Sequence, residues 1–341
     1  MVAIRKHVVS RDESIYEAWP DVVQTISGRL VCVFAECTHH ENRADARLTL
    51  RVSDDRGRTW SEKRYLTEKG TQTEYFNCPR ISRLRDGRLA IVCDRIHGGF
   101  DVAEKAEIYL WYGDCEGERW EKPKIYPFRG IVPDKLLQLE SGRLILSNHR
   151  GNPQTGKPEQ HLWYSDDKGE TWSDEVTVAA DPRYELCEVS ILDCGNDTLV
   201  AFLRENSRQG FDVLKTISRD GGETWSALIP TGMSCGHRPT AGFLLDGRVM
   251  VTYRFIPVWM HSIFAAFFTR ETALSDVRPR KDLRVMPLDY DRNAVPDLGY
   301  TGWTQFEDGE IYVVNYIKDD SDKAYIRGYS FRPEDVILPQ N

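Results

Sequence analysis

Six segments of the 341-residue sequence share one pattern, in which two apolar runs flank a short turn that suits positive φ. This pattern is typical of a β-hairpin, and it recurs at spacings of about 50 to 60 residues. The turns lie at Gly28, Gly87, Gly142, Gly195–Asp197, Gly247 and Gly309. Similar hairpins at a regular period indicate a radial repeat, and this period suits four strands in each unit. The sequence therefore predicts an all-β fold, a six-bladed β-propeller of four-stranded antiparallel blades.

A second repeat is a polar octapeptide that ends in tryptophan. It reads SDDRGRTW at residues 53–60, SDDKGETW at 165–172 and SRDGGETW at 218–225, with a reduced copy, GDCEGERW, at 113–120. Each copy follows a hairpin and one further strand, so we expect it to form the turn between the third and fourth strands of its blade. Its Asp can accept hydrogen bonds from amides of the turn, and its Trp can be largely buried against the blade. We interpret the octapeptide as structural and not catalytic.

The two ends of the chain both contribute to the last predicted blade. After the sixth hairpin only one further strand follows, at residues 324–331, while residues 4–10 precede the first hairpin without a partner. We predict that residues 4–10 form the outer strand of the last blade and so close the ring, which removes two sheet edges. Residues 1–341 then form a single propeller domain.

Composition restricts the partners and the compartment. The net charge is −8 and no basic block is present, so we expect no nucleic-acid partner. The N-terminal residues lack the apolar core of a secretory signal, and the most apolar stretch, residues 255–268, is too short to span a membrane. We therefore expect a cytoplasmic protein with no membrane partner. The eight cysteines form no Cys-x-x-Cys pair, so we predict buried, reduced thiols and no zinc site. No metal and no cofactor is predicted, and the oligomeric state is left open.

The ends of the hairpin strands carry the candidate chemistry. Because all six turns lie on one face, the start of each first strand and the end of each second strand meet near the axis on the opposite face. Six arginines occupy such positions: Arg80, Arg95, Arg150, Arg204, Arg238 and Arg254. Converging guanidiniums in an acidic protein require an anionic ligand, and a carboxylate fits their planar fork. The pattern predicts a pocket for an acidic oligosaccharide.

The octapeptide resembles the Asp-box, or bacterial neuraminidase repeat, of the sialidase superfamily, whose members are six-bladed propellers. The boxes and hairpins extend this resemblance over nearly the whole chain. It implies a sialidase-like exo-glycosidase that removes a terminal acidic sugar, sialic acid or a relative, with retention of configuration. Since the box also occurs in propellers with other functions, the site residues must carry the functional argument.

The resemblance implies a nucleophile and its base. The segment GYTGW is similar to the sixth-blade motif of the family and implies that Tyr300 attacks the anomeric carbon. Glu188 matches the fourth-blade glutamate that activates this tyrosine. A neutral phenol is not repelled by the substrate carboxylate, but its ordinary pKa near 10 means that it needs a base. The alternatives are a packed tyrosine at the rim of the pocket and a glutamate that only pairs with Arg204.

The resemblance also implies a carboxylate-binding set. Arg204 is similar to the fourth-blade arginine of the family, and Arg238 or Arg254 is a second candidate. The first-blade arginine is absent, because the segment 18–20 reads Ala-Trp-Pro. We expect Arg80 to substitute for it from the second blade, with Arg95 as a further substrate-binding candidate.

The general acid has several candidates. Asp45 is the positional match to the aspartate that the family places in the loop after the first hairpin, and Asp21 is an alternative beside the substrate. The same loop holds His39 and His40, and a histidine can either perform acid–base chemistry or bind sugar hydroxyls.

Two other functions remain open at this point. One is a propeller lyase or hydrolase of uronic-acid glycans that uses His39 or His40 with Tyr300 and an arginine. The other is a propeller that binds an acidic sugar without turnover.

Overall fold

The computed structural model describes residues 4–99, 105–279 and 281–336. Within these residues the chain forms six antiparallel sheets arranged in a ring. The predicted six-bladed β-propeller is therefore confirmed. In the described part of the chain, no helix is long and apolar enough to cross a bilayer.

The strands of each blade follow one another outward from the propeller axis. Blade 1 contains β2 (Tyr16–Gln24), β3 (Leu30–Cys37), β4 (Arg47–Ser53) and β5 (Arg64–Tyr65). Blade 2 contains an inner strand in two pieces, β6 (Glu74–Phe76) and β7 (Arg80–Arg83), then β8 (Leu89–His97), β9 (Glu107–Gly113) and β10 (Lys124–Tyr126). Blade 3 contains β11 (Leu137–Gln138), β12 (Leu144–Gly151), β13 (Pro158–Ser165) and β14 (Val176–Ala179).

The second half of the chain repeats this arrangement. Blade 4 contains β15 (Leu186–Asp193), β16 (Leu199–Glu205), β17 (Asp212–Ser218) and β18 (Ile229–Ser234). Blade 5 contains β19 (Gly236–Phe243), β20 (Val249–Phe255), β21 (Ser262–Phe268) and β22 (Arg284–Tyr290), with a short helix α1 (Arg270–Leu274) before its last strand. Blade 6 contains β23 (Leu298–Gln305), β24 (Ile311–Ile317), β25 (Tyr325–Phe331) and β1 (Arg5–Ser10), and a short helix α2 (Pro333–Val336) follows β25.

Apolar clusters fill the spaces between successive blades. In one of them, Val200 and Phe202 of β16 pack with Val249 and Val251 of β20, so that blade 4 rests on blade 5. Similar clusters join the other neighbouring blades around the ring. Burial of these apolar faces stabilises the fold, and it leaves polar side chains free to collect at the ends of the inner strands.

The N-terminal strand closes the ring as predicted. β1 pairs antiparallel with β25, with Arg5 opposite Ser330 and Val8 opposite Arg327. Side-chain contacts reinforce this pairing: Lys6 Nζ lies 2.6 Å from Asp289, and the Ser10 hydroxyl donates to Glu17 at 2.7 Å. β1 thereby covers the edge of β25 that would otherwise be open to another strand.

Deleting residues 1–10 should lower the melting temperature by several degrees, because it removes a whole ladder of hydrogen bonds and the buried side chain of Val9. Two neighbouring substitutions provide a matched test by thermal melting. Val9→Asp places a charge in the core and should destabilise the protein in the same way, whereas Val8→Asp alters a side chain that is 56% exposed and should be nearly neutral. An unchanged melting curve for the deletion would contradict ring closure by β1.

The octapeptides form the predicted turns between the third and fourth strands. In the first copy, Asp55 accepts hydrogen bonds from the hydroxyls of Ser53 and Thr59 and from the amides of Arg58 and Thr59. The same contacts recur around Asp167 and Asp220. The tryptophans were expected to be largely buried, but they are only partly buried, and each packs against an apolar cluster between two blades: Trp60, Trp172 and Trp225.

Trp60→Ala should cost about 2 kcal/mol of stability, less than the ~3–5 kcal/mol of a fully buried tryptophan. The ring packs against the first-blade core near Tyr312, and its Nε1 donates to the Gly57 carbonyl at 3.2 Å. Chemical denaturation measures this effect, and turnover per folded molecule should not change. Trp259→Ala, at a side chain that is 89% exposed, is the matched control and should leave stability unaltered.

Candidate active site

Irregularities in the inner strands position the side chains at the centre of the propeller. The pairing register slips between Ala18 and Asp21 in β2, and between His237 and Thr240 in β19. It slips again between Leu186 and Val189 in β15 and between Gly299 and Gly302 in β23. Within three of these bulges one residue has positive φ: Trp19 at 55°, Arg238 at 48° and Tyr300 at 52°. A bulge redirects a side chain relative to a regular strand, and such strained positions are typical of functional sites.

Tyr300 and Glu188 meet across the axis. The Tyr300 hydroxyl donates to Glu188 Oε1 at 2.5 Å, although the two residues lie in blades 6 and 4. Burial and the neighbouring Glu188 carboxylate raise the pKa of Tyr300 well above its ordinary value. Burial alone would also raise the pKa of Glu188, but Arg204 and Arg238 outweigh it and hold that pKa well below its usual range. At neutral pH the pair is therefore a neutral phenol and a carboxylate.

Arg204 is the direct partner of Glu188. Its Nη1 lies 2.8 Å from Oε1 and 3.0 Å from Oε2 of the carboxylate, and its Nη2 donates to Asn206. The side chain is 14% exposed, so this guanidinium is both held in place and open to a ligand. The glutamate thus touches the predicted nucleophile and the predicted carboxylate-binding arginine at the same time.

Two more arginines flank Tyr300. The guanidinium carbons of Arg238 and Arg254 lie 5.5 and 6.0 Å from the centre of the Tyr300 ring. Arg254 Nη1 donates to the Leu298 carbonyl at 3.2 Å, and its Nη2 lies 3.5 Å from His237 Nδ1. Three guanidiniums therefore lie around the Tyr300–Glu188 pair, and this concentration of positive charge favours an anionic ligand.

Arg238 differs from Arg254 in its accessibility. It is 0% exposed, and its two Nη atoms donate to the carbonyls of Val189 and Pro133 at 3.1 and 3.2 Å. These contacts tie together the inner strands of neighbouring blades. This placement supports direct contact with substrate less well for Arg238 than for Arg254. The charge of Arg238 nevertheless acts on Glu188.

Two buried histidines complete the wall of this cluster. Burial, opposed in part by Glu188, lowers the pKa of His149 to about 4. Burial together with Arg204 and Arg254 lowers the pKa of His237 to about 2. Both imidazoles are therefore neutral at pH 7, and neither adds positive charge to the arginines.

These histidines should make the protein less stable as the pH falls from about 6.5 towards 4. Below pH 6.5 the unfolded chain binds protons at His149 and His237, but the folded protein does not, so protonation favours unfolding. Each histidine should contribute a slope of roughly 1.4 kcal/mol per pH unit in this window. Urea unfolding at a series of pH values measures the slope, and His149→Gln should reduce it. A free energy of unfolding that stays constant between pH 6.5 and 5 would contradict this expectation.

A second polar group surrounds Asp297 beside the Tyr300 cluster. His40 Nδ1 lies 2.6 Å from Asp297 Oδ2, the Tyr16 hydroxyl donates to the same oxygen, and the Tyr316 hydroxyl donates to Oδ1 at 2.9 Å. The rings of Tyr316 and Tyr300 are 6.3 Å apart. His40 is one of the predicted catalytic residues, and it is thus hydrogen-bonded to a carboxylate that lies next to the predicted nucleophile.

The structure places Asp21 and Arg80 deeper in the axis. Arg80 Nε lies 3.4 Å from Asp21 Oδ2, and Lys135 Nζ lies 3.1 Å from Asp21 Oδ1. Arg80 also donates to the Thr301 carbonyl at 3.1 Å, and the Ile81 amide donates to Asp21 at 2.9 Å. Both side chains are fully buried and bridge several blades, so these contacts favour a structural role over the substrate binding predicted for them.

Three other predicted residues lie away from the central pair. Asp45 is 52% exposed and pairs with Lys69 at 3.3 Å, so its carboxylate is not part of the cluster around Tyr300. Arg95 donates to the Tyr109 hydroxyl at 3.2 Å and stacks near Phe76. His39 is exposed, and its ring centre lies 5.5 Å from that of Tyr16.

The sequence pattern did not identify two groups of this region. Asp297 stands one residue before β23, and the segment GYTGW begins at Gly299, so a strand start extended by two residues would have included it. Arg43 stacks over the Trp19 ring at 3.7 Å, from the loop that was predicted to carry Asp45. Trp19 and Arg43 therefore occupy the region from which the first-blade arginine of the family is missing.

Metal ligands and cysteines were also compared with the sequence predictions. Within residues 4–99, 105–279 and 281–336, no group of three or more His, Cys, Asp or Glu side chains is placed to hold a metal ion. All eight cysteines, each of them described, are unpaired, and six of them are buried. The central cluster itself presents a phenol hydrogen-bonded to a carboxylate, next to guanidiniums that can bind an anion.

Residues 28–286 match the model of the BNR repeat-like domain. The sialidase of Paraclostridium sordellii is 24% identical over 185 residues, which are 45% of this chain and 46% of that protein. This chain thus matches less than half of the length of that relative.

Solved structures share the propeller. A protein of unknown function from Dyadobacter fermentans has a TM-score of 0.76 at 22% identity, over 97% of this chain and 99% of that one. The leech intramolecular trans-sialidase has a TM-score of 0.74 at 13% identity, over 95% of this chain and 69% of that one. At these identities the likeness shows the fold.

Proposed function

The chain belongs to the BNR repeat-like domain family, and from this premise we propose that it is a sialidase-like exo-glycosidase that releases a terminal acidic sugar. The observation that carries the proposal is the hydrogen bond between Tyr300 and Glu188, with Arg204 on the same carboxylate. A nucleophile, its base and a cation for the substrate are thereby joined in one buried network. The sialidase names of relatives and structural neighbours support the same reaction class.

The substrate carboxylate binds to Arg204 and Arg254 in this proposal. Arg204 is partly exposed, and Arg254 has one Nη atom committed to a backbone carbonyl and the other only 3.5 Å from a neutral histidine. A carboxylate that spans the two guanidiniums gains charge-assisted hydrogen bonds and neutralises part of the local excess of positive charge. A neutral sugar lacks this interaction and is not expected to compete.

Binding of the acidic sugar also prepares the nucleophile. In the free protein the proton stays on Tyr300, because the pKa of Glu188 is held low by Arg204 and that of Tyr300 is raised by burial. A substrate carboxylate bound to Arg204 offsets part of the positive charge of this arginine, and the pKa of Glu188 therefore rises. The glutamate can then accept the Tyr300 proton while Oη bonds to the anomeric carbon and the bond to the leaving-group oxygen breaks, and the resulting tyrosyl glycoside is later hydrolysed by water.

The first blade favours an acidic sugar other than a simple sialoside. Ala18 is fully buried where the resemblance implied an arginine, and Trp19 turns towards Arg43. One of the arginines that the resemblance implies for binding the substrate carboxylate is therefore missing, and we expect simple sialosides to be cleaved slowly. This same absence supports a second candidate, a lyase of uronic-acid glycans, since a uronate carries its carboxylate elsewhere on the ring.

Product analysis separates these functions. The purified protein is incubated with sialyl-lactose, with other 2-keto-sugar glycosides and with short oligouronates. Release of a reducing 2-keto sugar acid supports the exo-glycosidase, and rapid cleavage of sialyl-lactose would show that the missing arginine is dispensable. An unsaturated product with new ultraviolet absorbance supports the lyase. Binding of an acidic sugar without any product would overturn both enzymatic proposals and leave a sugar-binding propeller.

A further inference from the structure

We propose that His40 and Asp297 form the general acid that protonates the leaving group, an inference that rests on the proposed glycosidase. The predicted acid, Asp45, is exposed and paired with Lys69, so it does not lie beside the nucleophile. His40 lies on the same face of the propeller as Tyr300. Its imidazole is hydrogen-bonded to the carboxylate of Asp297, which precedes the inner strand of the Tyr300 blade. His40 is thus the catalytic residue of this step, and Asp297 is a positioning residue.

The contacts of Asp297 fix the tautomer of His40. Although burial opposes ionisation of Asp297, the hydrogen bonds from His40 and Tyr16 hold its pKa well below the usual range, so it is a carboxylate at neutral pH. A carboxylate can only accept, and therefore His40 Nδ1 carries a proton and donates it at 2.6 Å. The other ring nitrogen, Nε2, is left to exchange protons with a ligand.

Neighbouring rings fix the orientation of the imidazole. Trp19 meets His40 edge to face, with ring centres 5.4 Å apart, and the hydroxyls of Tyr16 and Tyr316 hold Asp297 from the other side. The side chain of His40 is 36% exposed, and no described side chain forms a hydrogen bond to Nε2. The ring is therefore rigid on its Nδ1 side and open on its Nε2 side, which is the arrangement that a general acid requires.

The connection to Tyr300 runs through Tyr316. This tyrosine donates to Asp297 at 2.9 Å, and its ring centre lies 6.3 Å from that of Tyr300. Arg254, which flanks Tyr300, also acts electrostatically on Asp297. The dyad and the nucleophile thus lie on two sides of one polar cluster, joined through Tyr316.

The proton and electron balance of the reaction is complete with these groups. As Tyr300 Oη bonds to the anomeric carbon, its proton passes to Glu188, and the bond to the glycosidic oxygen breaks with its electron pair on that oxygen. The imidazolium of His40 gives its Nε2 proton to this oxygen, and the alcohol leaves. In the second step, neutral His40 accepts a proton from the attacking water, and the Glu188 proton returns to Tyr300 as the sugar is released.

Leaving groups of different basicity test the acid directly. The leaving group of an aryl glycoside is a stable phenolate, which needs little protonation. The leaving group of an alkyl glycoside is a sugar hydroxyl, which must receive a full proton as it departs. We expect His40→Asn, which can still donate to Asp297 but has no acidic proton, to lose about a hundredfold or more in kcat/KM on sialyl-lactose or another alkyl glycoside. On the aryl glycoside of the same sugar the loss should be less than about fivefold.

Asp297→Asn and a control complete the test. Asp297→Asn should show the same dependence on leaving group, which a purely structural role would not produce, and melting curves show whether it is folded. His7→Asn changes a histidine on β1, the outer strand of blade 6, where it contacts Ser330. This variant should leave kcat/KM on both substrates unaffected. Equal losses of His40→Asn on aryl and alkyl substrates would overturn the dyad alone. Absence of any cleavage by the wild-type protein would overturn the proposed function and, with it, this inference.

Discussion

Tyr300→Phe should reduce turnover by roughly a thousandfold or more, because it removes the attacking oxygen and leaves the shape of the site intact. The ring remains between Arg238 and Arg254, so the variant should still bind an acidic sugar with nearly the wild-type Kd. Steady-state kinetics on an aryl glycoside and calorimetric titration with the released sugar acid measure the two effects separately. The loss in kcat without a loss in affinity identifies Tyr300 as a residue of the chemical step.

A second tyrosine provides the control for this substitution. Tyr329 is also buried in blade 6 and also donates to a carboxylate, Asp289 Oδ2 at 2.9 Å, but it belongs to β25 and not to the inner strand. Tyr329→Phe therefore removes a comparable hydrogen bond and should leave turnover per folded molecule unchanged. If Tyr300→Phe retained normal activity, the nucleophile would be misassigned, and the chemistry would have to be carried by His39 or His40 without the tyrosine.

The fold could be predicted from the sequence because its signal is local and repeated. A turn such as that at Gly87 between the apolar runs of β7 and β8 specifies one hairpin without reference to any other part of the chain. Six such hairpins then define the number of blades. Ring closure by β1 followed from the count of strands alone, and the octapeptide turns followed from their place after a third strand.

The site could be predicted only in part, because the inner strands are irregular. Position near a strand end was enough to find Arg204, whereas the family resemblance implied Tyr300 and Glu188, and the structure joins all three in one network. Position alone could not separate Arg204 from Arg80 or Arg238, since all three are arginines at strand ends that face the axis. The acceptor separates Arg204 from Arg238, because Arg204 meets a carboxylate and Arg238 meets backbone carbonyls. Arg80 also meets a carboxylate, but its partner Asp21 is fully buried and away from Tyr300.

Asp297 illustrates a different limit of sequence reasoning. Its role depends on Tyr16 and His40, which lie in the first blade at the other end of the sequence. The residue itself sits in an ordinary polar segment before β23, and no local pattern marks it. Contacts that form only when the ring closes leave no signature in any single repeat.

Glu188→Gln should destabilise the free protein by about 3 to 5 kcal/mol, because it keeps the size of the side chain but removes the charge that balances Arg204. The variant leaves the guanidiniums of Arg204, Arg238 and Arg254 around a neutral amide, in a site that is largely shielded from water. Urea unfolding measures this loss. Turnover should also fall by about a hundredfold or more, since an amide cannot accept the Tyr300 proton.

The same imbalance makes a further effect of Glu188→Gln measurable. An acidic sugar or a simple carboxylate supplies the missing negative charge, so it should raise the melting temperature of the variant more than that of the wild type. Glu205→Gln is the matched control: Glu205 is a buried neighbour on β16 that accepts from the Glu185 and Ser207 amides, and its substitution should produce neither the large loss nor the rescue by anions. A Glu188→Gln protein with wild-type stability and no preference for anions would show that Glu188 does not balance the arginines. The carboxylate-binding site would then have to be sought elsewhere on the propeller.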